Sequence, residues 1–169
     1  MNIVLTGFMG TGKTVVGKKL VKKLGKKWRY IDTDERIEMR AGMKISDIFS
    51  RHGEPYFRDM ETKIIRKVSE FDNCVIATGG GVVLRKENMD MLEKNGVVIN
   101  LKATPETIYN RISSSKDRPL LNKPEPMAEI VKMLDYREPF YKRCRLSINT
   151  DQVSAEEIAD TIISYVKQV

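Results

Sequence analysis

Gly7-Phe8-Met9-Gly10-Thr11-Gly12-Lys13-Thr14, entered directly from the apolar run Ile3-Val4-Leu5, is the stretch whose reading decides the fold. It fits the pattern GxxxxGK[ST] at every fixed position, and it stands where that pattern belongs, between a buried strand and a helix. Glycines there let successive backbone N–H groups close around phosphate oxygens, while the following helix adds its positive N-terminal end. Lys13 then reaches the outer phosphates and Thr14 offers its hydroxyl to Mg²⁺. Gly10, Thr11, Gly12 and Val15 complete the expected nucleotide cradle. A glycine-rich turn without a ligand is the bland alternative, and the agreement of strand, loop and helix weighs against it.

Working outward, short apolar runs followed by loops and longer helical patterns recur at 2–6, about 28–31, 74–77, 97–101 and 145–148. Five strands alternating with helices predict an α/β fold with a parallel sheet, whose loops at the carboxyl ends of the strands converge on the ligand. The stretch 45–67, with Ile48, Phe49, Phe57, Ile64 and Ile65, is long for a simple crossover and suggests an inserted helical element, one wall of a substrate pocket. Residues 113–126 lack periodicity and are rich in polar residues and proline, which predicts a mobile loop.

The bulk properties narrow the function. A chain of 169 residues makes one domain, spanning 1–169, large enough to bury about two thirds of its unfolded surface. It contains no apolar run near the roughly 18 to 20 residues of a membrane span. It also shows no secretory signal pattern, so a soluble cytoplasmic protein is expected. Cys74 and Cys144 lack metal or redox spacing and are read as buried thiols. The net charge of +7 could suggest nucleic acid. Lys18, Lys19, Lys22, Lys23, Lys26 and Lys27, however, alternate with Val16, Leu20 and Leu24 as a solvated helix face does, so no nucleic-acid partner is expected. No heptad or long apolar stripe is present, and a monomer is expected.

Chemistry concentrates in a few places. Asp32 and Asp34, in Tyr30-Ile31-Asp32-Thr33-Asp34 at a strand end, can serve a metal on one side and an acceptor hydroxyl on the other; the same pair also suits capping of a helix beginning near Glu35. Gly79-Gly80-Gly81 after the third strand permits a ligand to approach the main chain, although packing alone can place glycines in such a turn. Arg58 and Arg137 lie among aromatic neighbours and suit a carboxylate or phosphate, whereas each taken singly reads as a packed surface arginine. Arg118, before Pro119-Leu120-Leu121, can neutralise charge on a triphosphate, with Arg111 a lesser nucleotide candidate. His52, the only histidine, has no catalytic neighbour.

Together GFMGTGKT, the DTD at 32–34, Phe57-Arg58 before Glu61, GGG at 79–81, RPLL at 118–121 and YREPFY at 136–141 resemble the shikimate kinase family, in order over nearly the whole chain. The resemblance implies a three-layer P-loop NTPase fold of the nucleoside-monophosphate-kinase type. Its five-stranded parallel sheet would run in order 2-3-1-4-5, with a substrate-binding helical insertion at about 33–66 and a lid at about 112–126. It implies ATP-dependent phosphorylation of the 3-hydroxyl of shikimate in aromatic amino-acid biosynthesis, with Mg²⁺ as cofactor. Lys13, Asp34 and Arg118 would be catalytic; Thr14 and Asp32 would serve the metal, Asp32 through water. Asp34, Phe49, Phe57, Arg58, Gly79, Gly80, Gly81 and Arg137 would hold shikimate, and Arg111 with the loop 149–151 would flank adenine. The residues by themselves support a kinase of a small anionic alcohol. That leaves gluconate or nucleoside monophosphate as alternative acceptors, and a non-catalytic ATP-binding module as the alternative class.

Overall fold

The computed structural model describes residues 1–114 and 122–169; Arg118 and the centre of the expected lid lie outside them. Strands β1 (Asn2–Thr6), β2 (Arg29–Asp32), β3 (Cys74–Ala77), β4 (Gly96–Lys102) and β5 (Leu146–Asn149) form one sheet in the order β2-β3-β1-β4-β5. Every pairing is parallel, with Leu5 opposite Ala77, Asp32 opposite Ala77, and Thr6 opposite Asn100. The five strands foreseen from apolar runs are therefore present, within a residue or so at each end.

Parallel strands buried on both faces need helices above and below. Val4, Ile31, Ile76 and Val98 point into one apolar cluster, with Ile48, Ile65 and Leu92. Their neighbours Ile3, Leu5, Val75, Val97 and Ile99 point into the other, with Val16, Leu20, Ile158 and Ile162. The period of two along each strand sorts its residues between the layers. On the second face lie α1 (Lys13–Leu24) and α8 (Ala155–Val166). The first face carries α2 (Thr33–Ala41), α3 (Ile45–His52), α4 (Glu54–Ser69), α5 (Lys86–Lys94), α6 (Pro105–Ile112) and α7 (Pro126–Tyr141).

Local sequence explains where the helices begin and end. Gly12 in the left-handed region opens α1 and Gly25, also at positive φ, closes it. Asp32 caps α2 by accepting from the backbone N–H groups of Asp34 at 2.9 Å and Glu35 at 3.2 Å, so that helix starts at Thr33. Ser154 and Glu157 form a reciprocal capping box at the start of α8. The lysine face of α1 is corrected in one respect: the helix ends at Leu24, and Lys26 and Lys27 lie in the turn before β2. Part of that face is not simply solvated, because Lys19 and Lys23 pair with Glu156 and Asp160 of α8. Cys74 is buried, and Cys144 only partly so. Among the described residues no helix is long and apolar enough to cross a membrane.

Candidate active site

All five strands end at the same edge of the sheet, and the loops leaving that edge bring the chemistry-bearing residues together. The loop after β1 is shaped by glycines at positions closed to other residues. Gly7 has φ +140, and a Cβ there would run into the Leu101 carbonyl of β4. Gly10 has φ +77 and lies against Ile112 of α6, while Thr11, buried, donates from its hydroxyl to the Phe8 carbonyl at 2.8 Å. Lys13 Nζ donates to the carbonyls of Gly7 at 2.6 Å and Phe8 at 2.8 Å, so the lysine is folded over the loop it belongs to.

Beside this loop a cavity of about 230 Å³ is lined by Thr11, Gly12, Val15, Arg111, Thr150 and Val153, among others. Arg111 fastens its two sides: it donates to the Gly10 carbonyl at 3.1 Å, to the Thr150 hydroxyl at 3.0 Å and to the Thr150 carbonyl at 2.7 Å. The Thr150 hydroxyl in turn donates to the Thr11 carbonyl at 3.1 Å. The loop after β5 and the loop after β1 are thus one unit. Val15 and Arg111, picked out from the sequence, share this cavity, and Val153 was missed because no pattern marks a lone valine in a polar loop.

Across the edge lies a charged corner. Arg58 on α4 donates from Nη1 to Glu61 Oε1 at 2.9 Å, and its guanidinium carbon stands 5.1 Å from the Phe57 ring centroid. Phe57 and Phe49 pack ring to ring at 4.7 Å. Arg137 on α7 stands 5.6 Å from the centroid of Phe8, a residue of the loop after β1. The three glycines after β3 form the floor. A Cβ on Gly79 would sit 2.6 Å from Asp34 Oδ1 and 3.2 Å from Glu61 Oε2. One on Gly80 would sit 3.3 Å from Arg137 Nη1, and one on Gly81 would collide with both guanidinium nitrogens of Arg58. A side chain at any of these glycines would displace the charged ends of Asp34, Arg58 or Arg137, so a bare floor is what lets those groups lie this close. Thr33 accepts from the Gly79 N–H at 3.1 Å, and Tyr141 donates to the Gly80 carbonyl at 2.6 Å, which pins the turn from both sides.

Two carboxylates meet at this floor. Asp34 Oδ1 and Glu61 Oε2 are both buried and have no hydrogen-bond partner among the described residues. Burial pushes Asp34 up to about 6, reinforced by the charge of Asp32 and opposed by Lys13 and Arg58. Burial likewise pushes Glu61 up to about 7, against the Arg58 guanidinium. An unpartnered buried oxygen facing a glycine floor, between two arginines, is an acceptor held ready for a hydroxyl or water. Glu61 had no role assigned from the sequence, because a glutamate inside an amphipathic helix reads as surface until tertiary packing covers it.

On the other side of Asp34, the Tyr30 hydroxyl donates to Asp32 Oδ2 at 3.4 Å. Burial pushes that hydroxyl up to about 12, so it stays protonated. Thr14, in the first turn of α1, and Asp32, at the end of β2, both offer hard oxygens, a donor set suited to Mg²⁺ that draws its remaining ligands from phosphate and water. Of the two sequence-level readings of Asp32 the structure shows the capping one: Oδ1 caps α2, while Oδ2 accepts from the Tyr30 hydroxyl. His52 stacks on Tyr56 at the surface, with ring centroids 4.4 Å apart.

Comparison with known proteins gives a consistent answer. The family model for shikimate kinase matches residues 9–167. The shikimate kinase of Caldanaerobacter subterraneus subsp. tengcongensis is 50% identical over 167 residues, 98% of this chain and 96% of its own. That of Caldicellulosiruptor bescii is 48% identical over 163 residues, 96% and 94% of the two chains. Among solved structures, shikimate kinase from Acinetobacter baumannii in complex with shikimate superposes with a TM-score of 0.92 at 33% identity, covering 99% of this chain and 93% of that one. The enzyme from Aquifex aeolicus superposes with a TM-score of 0.84 at 32% identity, covering 99% and 96%. With one sheet order, one glycine-shaped loop and sequence agreement along nearly its full length, the chain belongs to the shikimate kinase family.

Proposed function

We propose that the chain transfers the terminal phosphoryl group of ATP to the 3-hydroxyl of shikimate, giving shikimate 3-phosphate and ADP, a step of aromatic amino-acid biosynthesis. The observation that carries this reading is the buried, unpartnered Asp34 oxygen. It lies on the glycine floor, close enough to Lys13 on one side and Arg58 on the other for both charges to act on it. Phosphoryl transfer needs mainly alignment and charge neutralisation, since the group passes through a loose transition state.

ATP lies with its phosphates in the loop 7–14 and its base in the cavity lined by Val15, Arg111, Thr150 and Val153. Lys13 leaves the Gly7 and Phe8 carbonyls for the outer phosphates, exchanging neutral acceptors for charged ones. Thr14, and Asp32 through water, would hold Mg²⁺, which would supply Lewis-acid neutralisation of the phosphate oxygens. The helical insertion at about 33–66 forms the acceptor side. Arg58 and Arg137 clasp the shikimate carboxylate, Phe49 and Phe57 line the ring, and Gly79, Gly80 and Gly81 leave room for it. Asp34 accepts the hydrogen bond of the attacking hydroxyl and takes its proton as the O–P bond forms and ADP leaves. A soluble, cytoplasmic monomer fits this chemistry.

A coupled assay of ADP formation with shikimate, gluconate, AMP and CMP tests the reading. Turnover confined to shikimate is the expected result, and a preference for any other acceptor overturns it. ATP binding without turnover of any small alcohol would instead point to a nucleotide-sensing module.

A further inference from the structure

The acceptor floor is built from three consecutive glycines, and glycine does not hold a conformation by itself, since either sign of φ is open to it. The peptide planes of such a turn have to be fixed by hydrogen bonds. Two of the three carbonyls are fixed locally: Gly79 accepts from the Val82 N–H at 3.2 Å, and Gly81 from the Leu84 N–H at 3.1 Å. The Gly80 carbonyl between them is held from a distant element. It accepts at 2.6 Å from the hydroxyl of Tyr141, the last residue of α7, and no other group donates to it among the described residues.

Tyr141 is placed for this task. It is buried, and its ring belongs to the apolar cluster on that side of the sheet. Burial pushes the phenol above its ordinary range, so the proton given to the carbonyl stays in place. Arg137 stands four residues earlier on the same face of α7, and a Cβ on Gly80 would come 3.3 Å from its Nη1 and 3.5 Å from the Met9 nitrogen. One face of α7 therefore brings to Gly80 both an acceptor-side cation and the group that fixes its carbonyl.

The consequence lies on the far side of that peptide. No peptide bond among the described residues is cis, and in a trans peptide the C=O and the N–H point in opposite directions. A Gly80 carbonyl held on Tyr141 thus turns the Gly81 N–H away from the phenol. The Gly79 N–H is committed to Thr33 at 3.1 Å, whereas the Gly81 N–H has no acceptor among the described residues. Gly81 is buried, and a buried N–H is seldom left without a partner. The Arg58 guanidinium lies against Gly81, where a Cβ would collide with both of its terminal nitrogens. A waiting amide beside a guanidinium suits an oxygen of an anionic, hydroxyl-bearing acceptor.

We propose that Tyr141 is a positioning residue for the acceptor: by holding the Gly80 carbonyl, its hydroxyl sets the Gly80–Gly81 peptide so that the Gly81 N–H donates to an oxygen of bound shikimate. This inference rests on the shikimate reading above, and the test separates the two.

Tyr141→Phe keeps the ring in the core and removes only the hydroxyl. Shikimate is titrated by calorimetry into wild type and variant, and the amide resonances are followed in protein isotopically labelled at glycine nitrogen; the chain has 11 glycines, few enough to assign singly. The expected result is shikimate binding about tenfold weaker in Y141F, the size of one lost hydrogen bond. ADP affinity stays at the wild-type value. In the wild type shikimate moves the Gly81 amide proton downfield, and in Y141F that shift is lost. Wild-type shikimate affinity in Y141F overturns the inference and leaves the shikimate reading standing, even where the thermal midpoint falls, because the hydroxyl then serves stability alone. Weaker binding with the Gly81 shift retained also overturns it, since the phenol would then act through its neighbour Arg137. Absence of shikimate binding in the wild type overturns both the inference and the reading beneath it.

Discussion

Glu61 shows how far a single residue can depart from its sequence reading. It follows Arg58 by three positions on α4, the spacing of an ordinary surface ion pair, but it is fully buried while Arg58 is 12% exposed. The groups facing it are Arg58 on its own helix, Asp34 on α2 and Arg137 on α7. Its carboxyl lies at about 7, above the ordinary 4.5, mainly through burial. The native state therefore favours the protonated form. The stability this contributes is complete below about 4.5 and is lost as pH rises through about 7. The wild-type thermal midpoint is expected to fall between pH 5 and pH 8. Glu61→Gln should flatten that slope, removing a dependence on the order of 1 to 3 kcal/mol; a slope unchanged in the variant would refute the cause. Arg58 is the partner whose loss should be felt in recognition. Arg58→Ala is expected to weaken shikimate by about 2 to 5 kcal/mol, seen as a raised KM, because the acceptor carboxylate loses its counter-charge. An unchanged KM would remove Arg58 from the carboxylate site.

At the scale of elements, the loop between β1 and α1 depends on its neighbours more than its motif suggests. Gly7 lies against the Leu101 carbonyl of β4, Gly10 against Ile112 of α6, and Thr11 is tied to Thr150 after β5. The motif predicts that glycines are needed for phosphate; the packing shows that Gly7 is needed for the sheet edge to close even without phosphate. Gly7→Ala combines positive φ with a backbone collision, and it is expected to destabilise the protein by on the order of 2 to 4 kcal/mol. Urea denaturation measures this directly, and a loss of less than half a kcal/mol would show that the loop can shift aside. The helices α2, α3 and α4 illustrate the limit of periodicity: residues 45–67 were legible as helical from Ile48, Phe57, Ile64 and Ile65. The break into α3 and α4 at Gly53, with φ +81, carries only a one-residue signal. That break lets Phe49 and Phe57 come from two helices and meet at 4.7 Å.

For the whole molecule, the strand order puts nucleotide and acceptor groups on one edge, with β1 and β3 adjacent so that the phosphate loop and the glycine floor face each other. Binding at that edge should be felt by the entire fold, since a ligand that binds only the native state stabilises it by mass action. ATP at about 100 times its dissociation constant is expected to add about 2.7 kcal/mol to stability. Lys13→Ala should keep the fold, lose turnover and lose most of this gain, as read by thermal melting with and without ATP. A variant that melts and turns over like the wild type would remove Lys13 from the phosphates. The 30 basic residues do not form one uniform free surface, since some are paired within the fold: Lys19 and Lys23 bind α8, and Arg143 binds Asp90 and Glu93 of α5.

What the sequence by itself determined is local. The phosphate-binding loop, the five strands and the candidates Asp34, Arg58 and Arg137 are written in short patterns, because glycine geometry, strand apolarity and charge are properties of neighbouring residues. Only the tertiary structure decided that Glu61 is buried, that Tyr141 pins Gly80, that Arg111 joins two loops, and that Tyr30 lies on Gly17. Each of these joins residues 13 to 101 positions apart, or depends on what covers a helix face. Such contacts are set by how layers pack and by which space a missing side chain leaves, and no local pattern in the chain encodes either.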